Sequence, residues 1–273
     1  MMNIIQRNFF RLLRSGAFDE NEPVEPMSPF KWRRLFQMVM AQRVVPVFAK
    51  GVANHNGDVG LNLPADLMQQ IAESQKNDDL GSEVITEEEL QFSSKRLNRK
   101  MKRIINKEMN DNEISMETVD LLELIIFNVY HILNKGLSMD GIIRLGRYLR
   151  IRGDKVDFVK FDQWLSQLHL QRMAQLQGSI LIEVFGFEKD EVPFVVTKEK
   201  DALRLTIQSI SNLAKDTAEE WHFRQSRTGF VQNNSSVLRR NVRRSIHFYN
   251  YAPWETASSF VRNLGRSLSE IEE

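Results

Sequence analysis

The sequence contains no cysteine, and its 273 residues include only 13 glycines and 7 prolines. The lack of cysteine excludes disulfides, thiolate catalysis and zinc sites built on cysteine, and it favours a reducing compartment, so we expect a cytoplasmic protein. The scarcity of glycine and proline argues against sandwiches and barrels, which need many tight turns. The length allows one large helical domain or two small ones.

Neither sign of charge dominates the whole chain, because the formal net charge at pH 7 is +1. Any electrostatic partner must therefore be recognised by a local patch. The sequence also lacks an apolar run long enough for a membrane-spanning helix, so we predict none. Near the N-terminus, Arg7, Arg11 and Arg14 interrupt the apolar pattern. This favours an amphipathic helix docked on the protein's own core; a helix lying on a membrane surface is the alternative.

Apolar residues recur at helical spacing along most of the chain. The pattern predicts an all-α fold, a multi-helix array of about ten helices, with at most one short strand pair near residues 194–196. We place an N-terminal helical lobe at residues 1–110 and a C-terminal helical lobe, packed against it, at residues 115–273. Thr86 and Glu89 have capping-box spacing, which predicts that a long helix begins directly after Thr86.

Two segments are strongly basic. The helix predicted after Thr86 has one apolar stripe, while its other face carries Lys95, Arg96, Arg99, Lys100, Lys102, Arg103 and Lys107. Nearer the C-terminus, aromatic residues accompany Arg239, Arg240, Arg243 and Arg244. Arginines beside aromatics suit phosphate-bearing or nucleic-acid ligands, so these four are the predicted phosphate- or polyanion-binding residues. The alternative is a solvated helix face that binds nothing.

The segment at residues 116–134 is apolar almost all round, which is typical of a central, buried helix. Its polar residues Asp120, Glu123 and His131 fall close to one line at helical spacing. They form a candidate buried polar site, because a carboxylate beside His131 could set its tautomer or raise its pKa. A histidine that is simply satisfied in the core is the alternative.

Acidic pairs with the spacing of metal sites stand in unsuitable places. Two-metal phosphoryl transfer needs carboxylates that point at the same ions, commonly from one face of a strand. The pair in residues 111–113 lies in a polar break, and the pair in residues 199–201 lies at a helix start. The segments 57–61 and 178–190 resemble strand motifs of transferases but lack the second acid, so we predict a loop and a helix. We predict no catalytic residue, no metal site and no cofactor.

Several segments along the chain share a family pattern, namely residues 9–16, 32–52, 63–67, 95–105, 131–139, 156–194 and 240–255. Examples are F-F-R-L-L-R-S-G at residues 9–16 and F-G-F-E-K-D-E-V-P-F at residues 185–194. Together they resemble the Bacteroides-type members of an uncharacterised bacterial nucleotidyltransferase family. The genes of this family are often found beside surface-polysaccharide genes. Family members carry a catalytic palm of strands between the basic helix and the histidine-bearing helix.

The chain departs from that family where the palm belongs. Only residues 106–115 separate the two helices, which is too few for several strands. The family's Arg and Asp, four residues apart, correspond here to an inverted pair, Asp140 and Arg144, whose order still suits a contact along a helix. The resemblance therefore implies two helical lobes without the catalytic acids.

Three functions are compatible with these observations. The first is a non-catalytic helical protein that acts as a binding or regulatory partner of another protein, such as a polysaccharide-synthesis enzyme or a full-length transferase. The second is a nucleic-acid or nucleotide-phosphate binder that uses the C-terminal arginines and the basic helix around Arg99. The third is an active nucleotidyltransferase with atypical metal ligands.

Overall fold

A computed structural model describes residues 2–78, 86–110, 115–212, 242–243 and 245–269. Every regular element in these ranges is helical, which confirms the predicted all-α fold class. Residues 194–196, where the sequence pattern allowed a strand, form turns and bends.

A search of the described residues finds no helix with both the length and the apolar character that crossing a bilayer requires.

The chain divides into two units. Unit 1 comprises Met1–Val84 and Leu203–Gln225, and unit 2 comprises Ile85–Ala202 and Ser226–Glu273. The division falls earlier in the chain than the predicted boundary at residues 110–115, because the basic helix at residues 95–109 packs against a helix of unit 2. The packing of one lobe against the other stays a prediction.

Unit 1 is built on the N-terminal helices. They are α1 (Ile4–Phe18), α2 (Pro29–Ala41), α3 (Val45–Asn54) and α4 (Ala65–Asp78), and residues 202–212 are also helical. A capping box between Asn3 and Gln6 begins α1, and α2 begins at Ser28 and Pro29, with proline at the first helical position. Phe9 and Leu12 of α1 are fully buried, so this helix docks within its own unit, as the first of the two interpretations predicts.

The arginines of α1 are paired with the acidic segment that follows it. Arg7 and Arg11 bind Glu25, at 2.7 and 2.6 Å, and Arg11 and Arg14 bind Glu22, both at 2.7 Å. These arginines lower the pKa of Glu25 to about 2, Arg7 being the main cause. The cations that interrupt the apolar pattern of α1 therefore fold the segment after the helix back along it.

Two glycines let α1 and α3 touch backbone to backbone. A β-carbon at Gly16 would collide with the carbonyl oxygen of Val47, and one at Gly51 would collide with that of Leu12. Because both obstacles are helix backbone, neither can turn aside as a side chain would. Unit 1 therefore requires glycine at both positions.

The polar loop after α3 holds the segment between α1 and α2. Asp58 accepts hydrogen bonds from the backbone N–H groups of Val24, at 3.2 Å, and Gly60, at 3.0 Å. Asn62 accepts from the N–H of Met27 and from the indole N–H of Trp32. This confirms the prediction that residues 57–61 form a loop, and it gives Asp58 a structural role.

Unit 2 surrounds one long apolar helix. Its helices are α5 (Lys95–Met109), α6 (Met116–Asn134), α7 (Met139–Arg152), α8 (Phe158–Leu168), α9 (Gln171–Phe185) and α10 (Pro253–Ser269), with 3₁₀ turns at Gly153–Lys155 and Lys189–Glu191. The central helix α6 packs against α7, α8, α9 and α10, as its apolar character predicts. On α7, Asp140 and Arg144 form the expected contact at 2.8 Å.

The helix predicted to begin after Thr86 begins at Lys95 instead, so that prediction is wrong. The backbone N–H of Thr86 does donate to Glu89, at 3.2 Å, but residues 87–90 form turns. The helix starts where Ser94 caps the N–H of Leu97 and where Asn98 binds both the N–H and the carbonyl of Phe92. These side chains lie closer to the helix start and supply the cap.

The Gly178-Ser179 pair lies inside α9, which confirms the helical interpretation of that segment. A β-carbon at Gly178 would collide with the side chains of Phe194 and Val195, and the hydroxyl of Ser179 accepts a hydrogen bond from the N–H of Glu199 at 2.9 Å. Both residues therefore hold the segment that follows α9 against that helix.

The close approach of α1 and α3 makes a stability prediction. We expect Gly51→Ala to lower the free energy of unfolding by about 3 kcal/mol, because the added methyl group must push two helix backbones apart. Gly265→Ala is the control, since a β-carbon there meets no atom within 4 Å. Urea denaturation followed by circular dichroism measures both variants. Equal stability of the two would contradict the packing described for α1 and α3.

Candidate functional site

The most charged surface described is that of α5. In 15 residues this helix carries one acid, Glu108, and seven cations. The cations are Lys95, Arg96, Arg99, Lys100, Lys102, Arg103 and Lys107. The residues Leu97, Met101, Ile104 and Glu108, three or four apart, are buried and fix which side of the helix faces unit 2. All seven cations therefore lie on the remaining surface.

This charge distribution does not serve the stability of the helix. The first turn contains Lys95 and Arg96 and no acid, although the N-terminal end of a helix dipole favours negative charge. Like charges three or four residues apart also repel one another. Within the described residues, the ion pair at α5 is made by its acid, Glu108, with Lys160 of α8. Arg99 and Lys100 donate to the backbone carbonyls of Lys95 and Gln167, and none of the seven cations has a carboxylate partner among the described residues.

Three of the cations line a groove between α5 and α8. Lys100, Arg103 and Lys107 lie three or four residues apart, directly beside the buried stripe, so they share one face. The groove has a volume of about 440 Å³. Its further lining residues are Ile104, Glu108, Lys160, Gln163, Trp164 and Gln167. Ligand pockets in proteins typically measure about 300–1,000 Å³, so the groove is large enough for a small molecule or part of a polymer.

The geometry of α8 places its polar residues at the groove. Asp157 caps this helix by accepting from the N–H groups of Val159 and Lys160, at 3.0 and 2.9 Å. Phe161, Leu165 and Leu168 turn into the core of unit 2. The residues that remain on the side of α5 are Lys160, Gln163 and Gln167. Lys100 also reaches across, and its ammonium group donates to the carbonyl of Gln167 at 3.0 Å.

The one carboxylate of the groove is already neutralised. Glu108 is 5% exposed, and its Oε1 accepts from the ammonium group of Lys160 at 3.0 Å and from the backbone N–H of Ser115 at 2.9 Å. Among the described lining residues there are four cations and one carboxylate, an excess of three positive charges. Within that described set, Glu108 is the acid that an anionic ligand would meet, and it is already bound to Lys160.

The predicted buried polar site is not brought together. Glu123 and His131 are eight residues apart on α6, which separates them by about 12 Å along the helix axis. Asp120 is exposed, and the hydroxyl of Tyr148 lies 3.4 Å from it. Burial, and to a lesser extent the nearby charge of Asp120, raise the pKa of Glu123. The structure therefore associates Asp120 with Glu123 and leaves His131 elsewhere.

His131 finds its carboxylate in a different part of the chain. The Nε2 atom of His131 lies 3.2 Å from Oε1 of Glu89, and the ammonium group of Lys135 lies 3.6 Å from the same oxygen. Burial raises the pKa of Glu89, but the N–H of Thr86 and the charges of His131 and Lys135 outweigh it, so that the pKa is lowered. Glu89 ties the turn after Thr86 to α6, which gives this group a structural role.

The C-terminal arginines are only partly described. Arg243 is exposed on a helical stretch, whereas Arg239, Arg240 and Arg244 lie outside the described residues. Their predicted role in polyanion binding stays a prediction. Sequence reasoning recognised the basic face of α5 but missed its opposite wall. The spacing of Lys160, Gln163 and Gln167 shows a polar helix face, yet nothing in it indicates that α5 is the neighbour.

In the described part of the chain, no group of three His, Asp or Glu side chains is arranged to hold a metal ion. No family model, curated protein or solved structure matches the chain. The resemblance to a nucleotidyltransferase family therefore stays a prediction.

A buried carboxylate at the start of α5 predicts a pH dependence. Glu255 of α10 is 4% exposed and accepts from the backbone N–H groups of Ser93 and Ser94. Burial raises its pKa above 4.5, although those N–H groups oppose the shift. An acid whose pKa is raised by folding stabilises the fold below its unfolded pKa, and this contribution is lost as the pH rises through the folded pKa.

We therefore expect the wild type to lose stability relative to Glu255→Gln as the pH rises from about 4 to about 7. Urea denaturation across this range measures the difference, with Asp162→Asn, an exposed site on α8, as the control. A difference between wild type and Glu255→Gln that does not change with pH would show that Glu255 is not the titrating group.

Proposed function

We propose that the chain is a binding protein that holds a phosphate-bearing, polyanionic ligand in the groove between α5 and α8. The observation that carries this proposal is the row formed by Lys100, Arg103 and Lys107, which faces the groove without a carboxylate partner among the described residues. Lysine and arginine form strong, charge-assisted hydrogen bonds to phosphate oxygens.

The spacing of the row suits a ligand with several anionic groups. Lys100 and Arg103 are about 4.5 Å apart along the helix axis, and Arg103 and Lys107 about 6 Å apart. A single phosphate could reach two of the three cations at most, whereas a chain of phosphates could engage all three. Because such binding releases counterions, it should weaken steeply with salt.

This proposal narrows the second of the predicted functions, which used the C-terminal arginines and the basic helix together, to the basic helix α5. A regulatory role beside a polysaccharide-synthesis enzyme, an active nucleotidyltransferase and a cytoplasmic location all stay predictions. A binding role needs no chemistry from the groove, whose one carboxylate is occupied by Lys160 and Ser115.

Two triple variants of α5 test the proposal. The groove variant combines Lys100→Gln, Arg103→Gln and Lys107→Gln and removes the charges of the cationic row. The control variant combines Lys95→Gln, Arg99→Gln and Lys102→Gln and removes the same charge from the neighbouring exposed face. We expect the groove variant to bind tripolyphosphate at least about tenfold more weakly and the control variant to stay within about threefold of wild type. Titration calorimetry at about 50 and 200 mM salt provides the constants.

Equal losses in the two triple variants would show that only overall charge matters, which contradicts a site in the groove. A wild-type chain that does not bind tripolyphosphate at low salt would also contradict it. A third variant, with Arg239, Arg240, Arg243 and Arg244 changed to Gln, compares the two basic segments. A loss confined to this third variant would assign anion binding to the C-terminal segment instead.

A further inference from the structure

The two walls of the groove differ in chemistry. The α5 wall presents the cations Lys100, Arg103 and Lys107. The α8 wall presents the uncharged amides of Gln163 and Gln167, and its one cation, Lys160, is paired with Glu108. These two amides are four residues apart and exposed, so they lie side by side along the groove. A side-chain amide both donates and accepts hydrogen bonds, so a neutral polar group can use both of its functions, whereas an ionised phosphate can only accept.

A ligand made only of ionised phosphates would leave the carbonyl oxygens of these amides unused, because it offers them no donor. A ligand whose phosphates alternate with neutral hydrogen-bonding groups would use both walls at once. We infer that the groove binds a single strand of nucleic acid, with its phosphates on α5 and its bases or sugars against Gln163 and Gln167. This inference rests on the proposed function, because it names the class of polyanion that the cationic row binds.

The dimensions favour one strand. From Lys100 to Lys107 the helix advances about 10.5 Å, which is long enough for successive phosphates of one extended strand to reach different cations. Trp164, between the two glutamines, lines the same space and is 7% exposed. The row also continues beyond the groove, since Arg96 lies four residues before Lys100 and is exposed. A strand can therefore extend past the groove along the same face.

A duplex fits this surface poorly. A helix that reads double-stranded DNA enters the major groove, which is about 12 Å wide, and must be open on both flanks. Helix α5 buries the stripe of Leu97, Met101 and Ile104 in unit 2, and α8 stands directly beside its cationic row. The face that carries Lys100, Arg103 and Lys107 is therefore closed on one flank.

The order of the cations along α5 sets the direction in which the strand leaves. Beyond Lys107 the helix ends with Glu108 and Met109, so the row has no further cation there. The Glu108 carboxylate at that end is bound to Lys160 and the N–H of Ser115. Toward Lys100 and Arg96 the side chains of the row are all cationic, so the strand leaves the groove at that end.

The glutamines provide the test that separates this inference from the proposed function. The test variant, called the groove pair, carries Gln163→Ala and Gln167→Ala together. The control pair carries Gln37→Ala and Gln70→Ala, at two exposed glutamines of unit 1. The probes are a fluorescein-labelled oligothymidylate of about 12 nucleotides and tripolyphosphate, each with the full chain. Fluorescence anisotropy follows the oligonucleotide, and calorimetry follows tripolyphosphate.

We expect the groove pair to weaken oligothymidylate binding about tenfold and to leave tripolyphosphate within about twofold, with no effect from the control pair. The wild-type dependence of log K on log salt should have a slope of about −2 for three phosphate contacts, and the triple groove variant should lose that slope.

Two outcomes overturn the inference and leave anion binding in place. One is an oligothymidylate affinity that does not depend on Gln163 and Gln167 while the triple groove variant still abolishes tripolyphosphate binding. The other is tighter binding, through the groove cations, of a duplex of the same length or of heparin. If the triple groove variant changes neither ligand, both the inference and the proposed function are rejected.

Discussion

Two buried carboxylates, one at each end, hold α5 in place. Glu255 binds the N–H groups of Ser93 and Ser94 at its start, and Glu108 binds Lys160 and the N–H of Ser115 at its end. Burying a Leu, Ile or Met side chain contributes about 1.5–3 kcal/mol, whereas each like-charge pair along a helix costs about 0.2–0.5 kcal/mol. The burial of Leu97, Met101 and Ile104 therefore outweighs the repulsion among the cations, and the charged face can stay open.

Helices α1 and α5 use their cations differently. In unit 1 the arginines of α1 meet Glu22 and Glu25 at hydrogen-bonding distance, so their charge is used to fold the chain back on itself. In unit 2 the acid of α5 turns inward to Lys160, and the cations of the row face the groove. Basic residues that are neutralised by acids of the same chain have little charge left for a ligand. The cations of α5 that have no carboxylate partner among the described residues are therefore the better candidates for binding.

Much of the fold can be predicted from local pattern. The apolar spacing predicts the helices, Ser28 and Pro29 mark the start of α2, and the all-round apolar character of residues 116–134 predicts their central position in unit 2. The predicted start of α5 is wrong. The capping pattern of Thr86 and Glu89 indicates an early start, whereas hydrogen bonds made by Ser94, Asn98 and Glu255 fix the start later in the same stretch of chain. Glu255 lies far away in sequence, so local pattern could not include its contribution.

The sequence by itself determines the helical class, the absence of cysteine chemistry and the basic face of α5, since each follows from residue type and helical period. Only the tertiary structure decides that α8 lies beside that face, that Glu108 turns toward Lys160, and that His131 meets Glu89 and not Glu123. The reason is physical: helical spacing fixes which residues of one helix share a face. Which two faces meet depends on how apolar stripes and close glycine contacts pack segments that are distant in the chain.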